Sequence, residues 1–134
     1  MTITITPAGG SATTLCHGSA RAEGNAVGPS GFAVRCAPGL IRRAYVEDTG
    51  VRYERGGNDE VTGSFSVAIR CASLAAAATK VSDIIASTPR AGQMALGSLT
   101  LYNAGLVDIS AQQRGRAVFA TYSFAGSPTQ EVTV

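Results

Sequence analysis

The apolar spacing of this chain changes twice, and that constrains its fold more than any other feature. Phe65, Val67, Ile69 and Cys71 alternate with Ser64, Ser66, Ala68 and Arg70, the period of a strand with one buried face. From Ser73 the spacing lengthens. Leu74, Ala77, Ala78, Val81, Ile84 and Ile85 recur at intervals of three and four, which lines one side of a helix. Ser73 is a good N-cap, and Thr88-Pro89 stops the helix because the residue before proline avoids helical geometry. Val118, Ala120, Tyr122 and Phe124 then return to alternation, with Phe119, Thr121 and Ser123 between them. A lone amphipathic helix between strands must bury its stripe on the sheet those strands form. The reading predicts that Leu74, Val81, Ile84 and Ile85 are the residues buried there.

Weaker signals extend the pattern. Thr2 to Thr6 alternates Thr and Ile, a short strand with Ile3 and Ile5 on one face, and Pro7 ends it. Residues 18–31 are rich in Gly, Ala, Asn, Ser and Pro, have no period and read as a loop. Residues 32–36 read as a strand ended by Pro38-Gly39, and residues 40–46 as another. Residues 52–55, a polar tip at Gly56-Gly57-Asn58-Asp59 and the strand from Val61 have the form of a hairpin. Residues 99–102 and 106–109 read as strands about a turn at Asn103-Ala104-Gly105, with a second turn at residues 112–115. Aromatics on both faces of residues 118–124 predict a strand buried on both sides. The expected fold class is mainly β (α+β), a β-sandwich or open barrel with one flanking helix over residues 73–87. The 134 residues suit a single domain, with residues 1–16 as an extended amino-terminal arm or edge strand.

Composition narrows the function. Charged residues are 15% of the chain, well under the globular norm of about 25%, so a lone soluble monomer would be short of surface charge. The formal net charge is only +2, and the basic residues are scattered rather than gathered in a stripe. No sequence-specific nucleic-acid partner is expected. No apolar run is long enough to cross a membrane as a helix, and no basic segment with an apolar core opens the chain. Lys80 is the single lysine among eleven basic residues, and arginine suits interfaces because its planar fork pairs with carboxylates.

The search for chemistry finds no constellation. Cys16, Cys36 and Cys71 are an odd set without C-x-x-C spacing, which argues against zinc and a disulfide framework. Cys36 and Cys71 lie in apolar runs and read as small buried hydrophobes. His17 is the only histidine. Beside Cys16 on an extended segment it points away from it, so a Cys-His dyad is poorly placed. Glu47-Asp48 and Asp59-Glu60 border turns and read as solvated charges. No phosphate-cradling glycine motif occurs. The aromatics Tyr53, Phe65, Tyr102, Phe119 and Tyr122 read mainly as core, although a stacking face for an oligonucleotide is conceivable. No catalytic residue, cofactor or metal is expected, and the chain is read as a non-enzyme.

The order hairpin, amphipathic helix and strand pair, over about residues 45–126, resembles bacteriophage tail-tube proteins. It is similar also to the amino-terminal domain of distal tail proteins and to the type VI secretion tube protein. That resemblance implies a β-sandwich with one flanking helix that assembles into rings, usually hexamers, which stack into a tube. It implies a virion protein made in the host cytoplasm, with itself and other virion proteins as partners. An uncharged strand at residues 2–6 is a risky edge to leave unpaired in water. It pairs either within its own domain or with a neighbour's sheet. On the second alternative Ile3 and Ile5 are interface residues, and Arg55, Gly56, Gly57, Asp59 and Glu60 at the expected hairpin tip are the others. The competing readings are a capsid decoration or neck protein and, from another class, a small β-barrel ligand-binding module or enzyme using Cys16, His17, Glu47 and Asp48.

Overall fold

The structure, a computed structural model, describes residues 1–19, 21–38, 40–44, 51–55 and 59–128, with the main chain alone for 40–44 and 51–55. Nine strands and one helix occur in these residues: β1 (Thr2–Thr6), β2 (Thr13–His17), β3 (Ala26–Ala37), β4 (Leu40–Ala44), β5 (Val51–Arg55), β6 (Glu60–Arg70), α1 (Leu74–Ser87), β7 (Ala91–Leu96), β8 (Leu99–Arg114) and β9 (Ala117–Ser127). Seven strands form one antiparallel sheet in the order β2-β1-β7-β8-β9-β6-β3, curled into an open half-barrel with α1 on its flank. The expected class, mainly β with a single flanking helix, is what forms.

The core follows from alternation. On β6, Val61, Phe65, Val67 and Ile69 face inward; on β9, Val118, Ala120, Tyr122 and Phe124 do. Ten consecutive residue pairs, from Val61↔Gly126 to Arg70↔Ala117, lock these two strands in one register. That register stacks Phe65 on Tyr122, with ring centroids 5.3 Å apart, and sets it 6.2 Å from Phe124, close to the offset geometry aromatic pairs prefer. Gly63 makes this possible. A Cβ there would stand 2.6 Å from Phe124 Cζ, so any side chain would expel the ring.

The helix begins as expected: Ser73 Oγ accepts the Ala76 N–H at 3.1 Å, and Thr88 is extended. Its buried stripe is narrower than the spacing suggests. Ala77 and Ile84 are buried and Val81 is half-buried, but Leu74 is 62% exposed and Ile85 42%. The helix lies mainly over β8 and, less, over β9, so one residue per turn is covered and the flank carrying Leu74 and Ile85 stays outside. Gln113 Nε2 donates to the Leu74 carbonyl, and Arg90 Nη2 to the Ile85 carbonyl, pinning both ends of α1.

Five expectations about elements are corrected. β5 pairs with β4, with Leu40 opposite Arg55, and not with β6, whose two sides are taken by β3 and β9. Residues 26–31 are strand, not loop. Two register shifts, between Val27 and Ser30 and between Ser30 and Ala33, erase the alternation there, and Gly31 supplies a left-handed residue at φ +62°. Asn103-Ala104-Gly105 is not a turn but the middle of β8, where small residues let strands approach: a Cβ on the facing Gly126 would press on Ala104. The next turn is Gly115-Arg116, since β8 continues through Arg114. Finally, β9 has one buried face, because Phe119 is 43% exposed. β2 and β7 had no counterpart in the sequence reading.

Candidate functional site

The amino-terminal strand is not an arm. β1 lies between β2 and β7, paired with both, and Ile3 and Ile5 are fully buried. Their side chains belong to this chain's own core, which removes them as interface candidates and selects the pairing within the domain. Of the other candidates, Arg55 ends β5 opposite Leu40, and Gly56 and Gly57 lie outside the described residues. Asp59 is half-buried, and Glu60 is exposed at the start of β6 opposite Ala37. Among the described residues β5 and β6 do not pair, so Arg55 and Glu60 are not cross-strand partners.

Cys16 and His17 each turn to a separate partner. Cys16 is fully buried with Sγ donating to the Met1 carbonyl at 3.4 Å, and His17 Nδ1 accepts the Ala26 N–H at 3.1 Å. With that nitrogen occupied, His17 cannot serve Cys16 as a base. Cys36, read as a buried hydrophobe, is exposed because β3 leaves the core after its first residues, whereas Cys71, just past β6, is half-buried against the core. Glu47 and Asp48 lie outside the described residues. Among the described residues no group of three His, Cys, Asp or Glu could hold a metal, and no helix is long and apolar enough to cross a membrane.

Among the concave regions of the described residues are two that hold charged side chains. A cleft of about 190 Å³ between α1 and β2 is lined by His17, Lys80, Asp83 and Tyr122. Burial pushes the Tyr122 phenol up to about 12, with a hydrogen bond to Thr88 pulling the other way, so this group holds its proton at neutral pH. A groove of about 780 Å³ lies where β6 ends, walled by Arg21, Arg70 and Arg116. Of the aromatics, Phe65 and Tyr122 are core as expected, whereas Tyr102 and Phe119 reach solvent at 37% and 43% exposure.

The more prominent feature is backbone. β3 ends the sheet, and among the described residues its residues 30–37 are paired on one side alone, by β6. β8 is paired with β7 only as far as Gly105, after which Leu106 N donates to the Arg90 carbonyl. Among the described residues, no strand pairs that side of residues 107–114. Thus two different edges flank the four-stranded part β8-β9-β6-β3. Each carries an exposed valine, Val34 at 40% and Val107 at 69%, and neither carries a lysine. Sheet edges template strand addition, which charged side chains and bulges oppose; β3 carries exposed Arg35 on this stretch, and β8 carries exposed Asp108 and Arg114. Compared with known proteins, the chain matches no family model and no curated sequence.

Proposed function

We propose that this protein is a non-enzymatic structural subunit that assembles into rings or a tube, of the kind found in phage tails. The observation that carries the reading is the pair of unlike open edges, β3 residues 30–37 and β8 residues 107–114, on opposite sides of one curled sheet. Pairing β3 of one copy with β8 of the next is a heterologous contact. Repetition of such a contact closes a ring or winds a filament. Curvature of the half-barrel favours closure, and low surface charge lowers the repulsion between copies.

Edge substitutions test this. Val107→Lys and Val34→Lys each place a guarding charge on one edge without touching the core, since both side chains already face solvent. Either variant is expected to melt like the wild type and to lose assembly, as measured by sedimentation velocity. A wild-type assembly that survives both substitutions unchanged would overturn the edge-paired reading, and a discrete trimer would favour the decoration protein.

A further inference from the structure

We infer that the outer face of the sheet, at the end where β6 stops, is a binding site for single-stranded nucleic acid, read without sequence preference. Three arginines converge there from three separate parts of the chain: Arg21 from the β2–β3 connection, Arg70 from the last position of β6, and Arg116 from the β8–β9 turn. Main-chain hydrogen bonds hold these parts together. Gly24 N donates to the Arg70 carbonyl at 2.9 Å, and Cys71 N donates to the Arg116 carbonyl at 2.8 Å. The turn itself is fixed by Gly115 at φ +63°, a left-handed residue in the first of two turn positions. Glu23 is the one acid on the groove wall. The groove also reaches Ala72, next to the start of α1, whose first turn holds no acid, so the positive end of the helix dipole adds to the field.

The floor decides the class of ligand. Val27 and Ala68 are cross-strand partners, and Ala117 is paired with Arg70, so small apolar side chains pave the groove. These floor side chains offer a flat surface without hydrogen-bonding groups, and the polar side chains Glu23 and Asn25 stand on the wall beside them. Phe119, opposite Ala68 in the β6–β9 register, continues the same face with its ring partly in solvent, and Arg114 stands over it at 5.5 Å from the centroid. Arginines for phosphates beside an exposed ring for base stacking are the components of sequence-tolerant single-strand binding. An acidic polypeptide would use the arginines and leave the ring idle. The inference is independent of whether the protein forms a tube.

The test is fluorescence anisotropy of a labelled fifteen-nucleotide oligo-dT with the full chain at 50 and 200 mM NaCl. Three phosphate contacts imply a slope of about −2 in log K against log salt, so the fourfold rise in salt should weaken binding about twentyfold. In Arg70→Gln/Arg116→Gln one contact remains, and the same rise should cost only about threefold. Phe119→Ala should weaken binding about tenfold with the salt slope unchanged. All three side chains are solvent-facing, and an unchanged melting temperature verifies that each variant is folded. Absence of binding at 50 mM salt, a salt slope that the double substitution leaves intact, or poly-glutamate competing as well as unlabelled oligo-dT would each overturn the inference.

Discussion

Ile84 and Leu74 share one helix, yet they do different work. Ile84 is 5% exposed under α1, whereas Leu74 is 62% exposed beside it. Truncating a buried isoleucine removes its transfer energy and leaves a cavity, so Ile84→Ala should cost about 2–5 kcal/mol. Leu74→Ala and Ile85→Ala should each cost under about 1 kcal/mol, since surface changes away from packed sites have small effects. Urea unfolding measures all three; equal losses at the three sites would mean the helix is rotated from its place here. Tyr122 offers a second check. Its phenol titrates near 10 when unfolded and at about 12 when folded, because burial disfavours the phenolate. The folded state therefore holds this proton more tightly. Stability should be level up to about pH 10 and then fall as pH rises through the folded value, by about 2 kcal/mol between pH 9 and pH 11.5. Tyr122→Phe should remove that part of the decline, and a decline of the same size in the variant would contradict the assignment.

At the scale of elements, what could be read from the chain was whatever kept a clean period. β6, α1 and β9 did, and their inward residues Phe65, Val67, Ile69, Ala77, Ile84 and Phe124 are core. What could not be read was pairing. β3 hides its strand character behind two register shifts, and β8 carries turn-like Asn103-Ala104-Gly105 through its middle because close strand approach there requires small residues. The tip 56–59 showed turn chemistry, but no period states which strands a turn joins, and β5 pairs with β4. The buried stripe of α1 is narrower than its spacing implies for a related reason: spacing gives a face, and the width of that face depends on how much sheet lies beneath it. For β1 the consequence is direct. Ile3 and Ile5 are fully buried, and the strand joins β2 to β7. Two buried isoleucines alone account for about 3–6 kcal/mol, a large part of the 5–15 kcal/mol that holds a typical domain. Deleting residues 1–10 should therefore abolish the cooperative thermal transition. A truncated chain that stays folded and merely loses assembly would restore the amino-terminal arm that this structure removes.

For the whole molecule, the surfaces that suggest a function arise from how far the sheet closes, which depends on the sum of all pairings rather than on any motif. Seven strands curl without sealing, and the extension of β8 past the end of β7 exposes a stretch of edge that no local sequence feature marks. The arginine groove has the same origin: Arg21, Arg70 and Arg116 are scattered along the chain, and only the meeting of β6, the β8–β9 turn and the 21–25 loop gathers them. The charge count of +2 gave no hint of that grouping. If these unlike edges join copies into closed or stacked rings, light scattering of the wild-type protein across micromolar concentrations will give a molar mass that is a fixed multiple of 13.6 kDa, or a growing series of such multiples as rings stack. A monodisperse monomer at tens of micromolar would contradict that assembly.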